Sequence, residues 1–216
     1  MPKPEIIGSS QSTYTRAVRM VCEEKGIEYV LTQALLRAPE ILAIHPFGKM
    51  PVLRHGDVEL CESKAIATYL DRSFPGPKVI PSDARLAALT EQWVSLVNTV
   101  MDGTLIRTYL FAYIFPKTAD GKPDRKAIEA VTPAVREQLG ILDRAVGKTG
   151  YLAGDQFTFA DINLLPILYY VRQLPEGAEA FAAANHLAAY YDQHAARLSF
   201  KSTAPPPGPP RAARPR

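Results

Sequence analysis

The sequence is poor in cysteine, and its cysteines form no recognisable pattern. Its 216 residues include two cysteines, Cys22 and Cys61, and four histidines. Two cysteines in a chain that shows no secretory signal are typical of free thiols rather than of a disulfide framework. The histidines lie in unrelated local patterns, and no Cys/His spacing resembles a zinc site. We therefore predict a protein with free thiols and no metal.

Long apolar runs and a strong charge bias are also missing. No unbroken apolar run approaches the roughly 18 residues of a membrane-spanning helix. The opening residues, MPKPEIIGSS, lack the apolar stretch and the cleavage site of a secretory signal. The formal net charge of +3 is too small to favour nucleic acid as a partner. These absences predict a cytoplasmic globular protein that uses neither a membrane nor a nucleic acid.

Proline and glycine mark the borders of the domains. The cluster Pro75, Gly76, Pro77 and Pro81 is typical of a linker, which we place at 75–82. After Phe200 the chain interleaves prolines with lysine and arginine, a composition that cannot form a packed core. The predicted domains are therefore 1–74 and 83–200, followed by a disordered Pro-rich tail at 201–216.

The first domain alternates short β-prone runs with helical patterns. Glu5–Gly8 is a strand candidate, Thr15–Gly26 has a helical pattern, and Ile27–Thr32 is a second strand candidate. A helical piece near 39–44 is followed by a hairpin pattern at 51–60 and by a helix from about Glu62. Parallel strands need a crossover, so this order, βαβαββα, predicts an α/β domain. The residues from 82 to about 200 have only helical patterns, which predicts an all-α second domain.

Three segments carry a resemblance to a known family. They are GSSQSTYTRAVRMVCEEKG, HPFGKMPVLRHGDVELCESKAIATYL and LAGDQFTFADINLLPIL, and together they span most of the chain. The sequence resembles the cytosolic glutathione transferases, which take part in detoxification, and within them the serine-type classes of bacteria and plants, phi- or theta-like. The resemblance implies a thioredoxin-like first domain with a cis proline at Pro51, glutathione as co-substrate, and a homodimer.

Placed on the family pattern, the hydroxyl that stabilises the glutathione thiolate falls on Ser12. Ser9 and Ser10 are alternatives, and Tyr14 would take the role in the tyrosine-type classes. A free thiol of this kind has a pKa of about 8.5, so that only a minority is ionised at neutral pH. A hydroxyl donor and the positive end of a helix both favour the thiolate. Ser12 could equally be a plain helix N-cap, and the resemblance is what favours catalysis.

The resemblance also implies anchors for the two charged ends of the tripeptide. Met50, through its main chain before Pro51, would bind the cysteinyl part. Glu62 and Ser63 would hold the γ-glutamyl group, because free N–H groups at a helix N-terminus favour a carboxylate and Glu62 can meet the ammonium. Lys49 suits the glycyl carboxylate.

The second substrate should be a small hydrophobic electrophile in an apolar pocket, for which Met101, Leu105 and Tyr109 are candidate wall residues. The leading prediction is conjugation of glutathione to this electrophile. An isomerase or dehalogenase that recycles glutathione, and a non-catalytic binding module, are the alternatives.

In the third segment, Thr158 and Asp161 predict a capping box at the start of a core helix.

Overall fold

A four-stranded mixed sheet with helices around it forms the first part of the fold. In this computed structural model, which describes residues 2–206, the strands are β1 (Glu5–Ile7), β2 (Val30–Thr32), β3 (Val52–His55) and β4 (Val58–Cys61). The helices between and after them are α1 (Thr13–Lys25), α2 (Pro39–Leu42) and α3 (Ser63–Ser73). The order of elements is βαβαββα, and the predicted thioredoxin-like fold is confirmed.

The strand order in the sheet is β2-β1-β3-β4. β1 pairs with β2 in parallel and with β3 in antiparallel, and β3 forms the predicted hairpin with β4. Ile7, Ala34, Ile41 and Val52 form a buried cluster beside the sheet, which places α2 against it through Ile41. Burial of these side chains stabilises the fold by roughly 1.5–3 kcal/mol for each large one.

Local signals define both ends of α1. Ser12 is its N-cap, and Gly26, with a φ of 68°, ends it in the left-handed conformation that glycine tolerates best. The amide of Gly26 donates to the carbonyl of Glu23, and the amide of Ile27 donates to the carbonyl of Cys22. The predicted termination at Gly26 is therefore observed, and it returns the chain toward β2.

The second part of the fold is helical throughout. Its α-helices are α4 (Ala84–Leu96), α5 (Phe111–Ile114), α6 (Arg125–Val146), α7 (Phe159–Val171), α8 (Pro175–Ala183) and α9 (Asn185–Ala195). Between α4 and α5 the chain is π-helical over Val97–Leu110, and we call this stretch the π segment. The predicted all-α domain is confirmed. None of the helices within residues 2–206 has both the length and the apolar character needed to cross a membrane.

Helix α7 forms the centre of the helical part, packing against α4, the π segment and α9. The predicted capping box is present at its start: Thr158 Oγ1 accepts from the amide of Ala160 at 3.2 Å, and Asp161 Oδ2 accepts from the amide of Thr158 at 2.9 Å. The second oxygen of Asp161 accepts from the amide of Leu152 and from the hydroxyl of Tyr190. One buried carboxylate thus joins the start of α7 to a loop and to α9.

The end of the described chain returns to the first part of the fold. Helix α10 (Leu198–Ser202) packs against α1, where Arg16 Nη2 donates to the Phe200 carbonyl at 2.8 Å and Arg19 Nη1 donates to the Thr203 carbonyl at 3.2 Å. Thr203 is completely buried. The predicted tail began at 201, whereas the structure continues the helix to Ser202, because the two arginines satisfy the carbonyl groups at its end. The rest of the predicted tail, 207–216, lies outside the described residues.

The contacts within the chain divide it into two compact units. Among the described residues, one unit combines 2–77 with 198–206, and the other runs from Lys78 to Arg197. We call them the sheet unit and the helical unit. The sheet unit is therefore built from two separate stretches of sequence.

Candidate active site

The predicted glutathione-binding segments converge at one edge of the sheet. β1 ends at Ile7 opposite Val52, the first residue of β3, and Val52 also faces Cys61, the last residue of β4. The residues that follow Ile7, that precede Val52 and that follow Cys61 consequently share this edge. Three segments distant in sequence, 8–12, 49–51 and 62–63, are brought together there.

Ser12 lies at the start of α1 and is half-buried. Its Oγ accepts a hydrogen bond from the amide of Thr15 at 3.3 Å, as an N-cap does. A serine hydroxyl accepts and donates at the same time, so this bond leaves the hydroxyl hydrogen free to be donated elsewhere. The N-cap interpretation and the proposed donor role of Ser12 are therefore compatible.

The alternative hydroxyls have different surroundings. Ser9 Oγ accepts from the amide of Gln11 at 3.2 Å, and its own amide points at the sulfur of Met50 at 3.1 Å. The amide of Ser10 donates to Oε1 of Gln33 at 3.1 Å. Tyr14 is half-buried within the first turn of α1. Of the four hydroxyl residues, Ser12 is the one that caps the helix.

Gly8 allows α1 and the segment before β3 to approach each other closely. A Cβ atom at Gly8 would lie 2.6 Å from Oγ1 of Thr15 and 3.4 Å from Cβ of Met50. Thr15 is fully buried, so its side chain has no solvent-filled space to move into. The absence of a side chain at Gly8 thus permits the short distance between the start of α1 and Met50.

The bond between Met50 and Pro51 is cis, as the resemblance implied. Pro51 is buried, Met50 packs partly against the Ile7 and Val52 cluster, and Lys49 is exposed. The side chain of Met50 is therefore largely core, and the main chain of Met50 and the Lys49 ammonium are the groups left for a ligand.

Glu62 and Ser63 form the start of α3. Ser63 is its first residue and is 6% exposed, whereas the Glu62 side chain is 69% exposed. Glu62 has a φ of 68°, a left-handed conformation that costs a non-glycine residue on the order of 1 kcal/mol or more. This backbone turns the Glu62 side chain toward the preceding loop, where its Oε1 lies 3.2 Å from Nε2 of His45.

His45 is the site residue that the sequence pattern did not indicate. Its side chain is 3% exposed, and its Nδ1 accepts from the amide of Phe47 at 3.1 Å. In the sequence, the histidines show no zinc-ligand spacing, and no other pattern indicates a role for His45. A side-chain acceptor that binds the amide two residues later is a turn signal usually associated with Asn and Asp.

The predicted electrophile-pocket residues lie on the π segment. Met101, Leu105 and Tyr109 are all buried. The hydroxyl of Tyr109 donates to Oε2 of Glu176 and accepts from the amide of Gly177, each at 2.9 Å, and its burial raises the pKa of Tyr109 well above its usual value. Tyr109 thus joins the π segment to α8. That the three residues line a substrate pocket stays a prediction.

Both cysteines are free thiols, Cys22 being buried in α1 and Cys61 half-buried at the end of β4. Burial raises the pKa of the Cys22 thiol to about 12. Within residues 2–206 no cluster of three or more His, Cys, Asp or Glu side chains is arranged to hold a metal ion.

Two family models match the chain. Residues 6–78 match the family model for the N-terminal domain of glutathione S-transferases, and residues 104–197 match the model for their C-terminal domain. Glutathione S-transferase 3 of Zea mays is 30% identical, over 94% of this chain and 96% of its own length. The chain belongs to the glutathione S-transferase family. The predicted family is confirmed. Within it, the sequence predicted a phi- or theta-like class, and the plant relatives agree with the phi-like one.

Further members of the family support the assignment. The probable glutathione S-transferase GSTF1 of Oryza sativa is 28% identical over 94% of this chain and 96% of its own length. The structure of glutathione transferase F7 from Populus trichocarpa superposes with a TM-score of 0.84 at 27% identity, covering 93% of this chain and 97% of that one. A glutathione S-transferase from Methylobacillus flagellatus, solved with glutathione bound, superposes with a TM-score of 0.78 at 28% identity, over 94% of this chain and all of that one.

Proposed function

We propose that this glutathione transferase conjugates glutathione to a small hydrophobic electrophile, with the Ser12 hydroxyl stabilising the thiolate. The observation that carries the proposal is the geometry of Ser12, whose Oγ accepts the cap bond from Thr15 while its hydrogen remains to be donated. A thiolate at this place would also meet the positive end of α1. Both interactions favour the ionised sulfur and lower the pKa of the bound thiol.

The tripeptide would be held along the edge of the sheet. The main chain of Met50 would pair with the cysteinyl residue, and the Lys49 ammonium would meet the glycyl carboxylate. The amides at the start of α3 and the Ser63 hydroxyl would bind the α-carboxylate of the γ-glutamyl group, with Glu62 facing the α-ammonium. A solved bacterial relative has glutathione bound, which supports this choice of ligand.

In the conjugation step the sulfur lone pair forms a bond to the electrophilic carbon. The electron pair of the broken bond leaves with a halide, or the π pair of an activated double bond takes up a proton. The thiol proton is released to solvent; Ser12 lowers the barrier by stabilising the resulting thiolate and by orienting the sulfur, and does not itself form a bond to carbon. The alternative function, an isomerase or dehalogenase that recycles glutathione, uses the same thiolate and differs in that glutathione is regenerated.

The test is an ultraviolet difference spectrum of the glutathione complex, which reports the thiolate directly. We expect a thiolate band for the wild-type protein at neutral pH and its loss in Ser12→Ala, while retention on immobilised glutathione stays largely intact. An unchanged band in that variant would move the role to Ser9, Ser10 or Tyr14. A wild-type protein that is not retained on glutathione would remove both enzyme functions and favour a non-catalytic module.

The cytoplasmic location and the homodimer that the sequence predicts belong to the same proposal. Sedimentation at micromolar concentration measures the oligomeric state. Measuring glutathione consumption alongside turnover of an aromatic halide separates conjugation from recycling.

A further inference from the structure

His45 contacts one proposed glutathione anchor, Glu62, and the loop that leads to two others, Lys49 and Met50. Its Nε2 lies 3.2 Å from Oε1 of Glu62, the residue before α3. Its Nδ1 accepts from the amide of Phe47 at 3.1 Å, in the loop that leads to Lys49 and Met50. The ring is nearly inaccessible to solvent, so these contacts are made in a site of low dielectric, where hydrogen bonds are stronger.

The two contacts assign one tautomer to the neutral ring. The amide of Phe47 can only donate, so Nδ1 must present a lone pair to it. The proton of the neutral imidazole is therefore on Nε2, where it is donated to the Glu62 carboxylate.

The bond to His45 is important for Glu62 because this side chain is otherwise mobile. A glutamate side chain that is 69% exposed can adopt many rotamers, and ordering it costs conformational entropy. A hydrogen bond from a buried donor to a carboxylate is charge-assisted and fixes one oxygen. Oε2 receives no hydrogen bond from the described part of the chain, so it is available to a ligand.

We infer that His45 is a positioning residue for glutathione, an inference that rests on the proposed function. Its Nε2–H holds the Glu62 carboxylate so that Oε2 faces the α-ammonium of the γ-glutamyl group, while its Nδ1 fixes the turn that precedes Lys49 and Met50. One ring thus aligns the anchors for both ends of the tripeptide. His45 touches neither the sulfur nor the electrophile, so it should affect the binding of glutathione and leave thiolate formation at Ser12 unchanged.

The experiment compares two ligands on two variants. The ligands are glutathione and its glutaryl analogue, which lacks the α-ammonium. In His45→Asn the shorter side chain can still accept from the amide of Phe47 but cannot reach Glu62. Glu62→Gln keeps His45 and removes the charge that the ammonium meets. We expect each variant to weaken the binding of glutathione about tenfold and to leave the binding of the glutaryl analogue unchanged. In His45→Asn, kcat at saturating glutathione should stay within about twofold.

His55→Asn is the matched control. His55 is also buried in the sheet unit with both ring nitrogens bonded, to Tyr69 and to the Pro2 carbonyl, but it lies at the opposite end of β3. It should affect stability without distinguishing the two ligands. In the wild-type protein, the ¹⁵N chemical shifts of the His45 ring should report the Nε2–H tautomer, a measurement that needs no variant to fold.

The outcomes separate this inference from the proposed function. If the wild-type protein binds glutathione but His45→Asn weakens both ligands equally, or neither, His45 does not position Glu62 and the inference fails alone. An Nδ1–H tautomer would overturn it in the same way. If the wild-type protein binds no glutathione, the proposed function fails first and the inference with it.

Discussion

The ammonium nitrogen of Lys25 lies 3.3 Å from Oδ1 of Asp71, and the two side chains are 0% and 3% exposed. The pair joins the last turn of α1 to α3, and Lys25 also donates to the Pro77 carbonyl at 3.1 Å. Removing one partner of such a pair leaves the other charge buried and uncompensated. We expect Asp71→Asn and Lys25→Met each to lower the free energy of unfolding by about 3–5 kcal/mol, measured by urea denaturation.

The control for this pair is the double variant Lys25→Met/Asp71→Asn. It buries no charge, so it should be more stable than the sum of the two single effects allows. Single variants within 1 kcal/mol of the wild type would contradict the view that this pair stabilises the sheet unit.

Ser12 has two roles that a pair of substitutions can separate. Both Ser12→Ala and Ser12→Gly remove the hydroxyl, but glycine is a tolerable N-cap and alanine is a poor one. We expect Ser12→Ala to lose about 1 kcal/mol of stability and Ser12→Gly only a few tenths, with turnover falling equally in both. If activity followed stability instead, the hydroxyl would be a cap alone. Thermal unfolding and initial rates, measured on the same preparations, make the comparison.

Gly8→Ala should damage the site by steric contact alone. The added methyl group would lie 2.6 Å from Oγ1 of Thr15, which is buried and cannot move aside. We expect a loss of about 1–3 kcal/mol in unfolding free energy and weaker glutathione binding. Thr15→Ala removes the clashing atom, so the double variant should recover part of the loss in a double-mutant cycle. Additive effects would show that the two residues are not in contact.

The two thiols should react at very different rates. Cys22 is fully buried and its pKa is raised to about 12 by burial, so it has almost no thiolate at pH 8. Cys61 is half-buried at the end of β4. We expect iodoacetamide to label Cys61 alone in the native protein and both cysteines after unfolding, as counted by mass spectrometry. Cys61→Ser should abolish native labelling, and a labelled Cys22 in that variant would contradict the structure.

Arg16 should hold α10 in place. Its guanidinium donates to the Phe200 carbonyl and stacks on the Phe200 ring at 4.0 Å. We expect Arg16→Met to cost about 2–3 kcal/mol, since hydrogen bonds to a charged group are lost, and to make the chain cleavable by trypsin after Lys201. The control for the loss of a cation is Lys126→Ala, on the exposed surface of α6. It should change neither the free energy of unfolding nor the cleavage by trypsin. Resistance of Arg16→Met to trypsin would show that α10 is held by other contacts.

The sequence predicted those parts of the fold that depend on local signals. The strand at Glu5, the termination of α1 at Gly26 and the capping box at Thr158 were all readable, because each depends on residues within a few positions of one another. The segments that carry the candidate site were also identified, through their resemblance to the family. The role of each residue within them stays a prediction.

Contacts between distant residues could not be predicted in this way. No pattern in the sequence indicates that Arg16 binds Phe200, because the two residues are 184 positions apart. His45 and Glu62 were each considered, yet nothing in their separation of 17 residues indicates a hydrogen bond. The π segment was expected to be an ordinary helix, because the sequence pattern indicates a helix without distinguishing the π type from the α type.

The return of α10 to α1 also determines when the sheet unit can be completed during synthesis. A ribosome makes the chain from its N-terminus, and a domain generally folds once its residues have emerged. Strands β1 to β4 emerge early, but Arg16 and Arg19 obtain their carbonyl partners only after Thr203 has emerged, and by then the helical unit has left the ribosome as well. A nascent sheet unit therefore lacks the carbonyl groups of Phe200 and Thr203 as partners for α1, and this face of the helix is completed last.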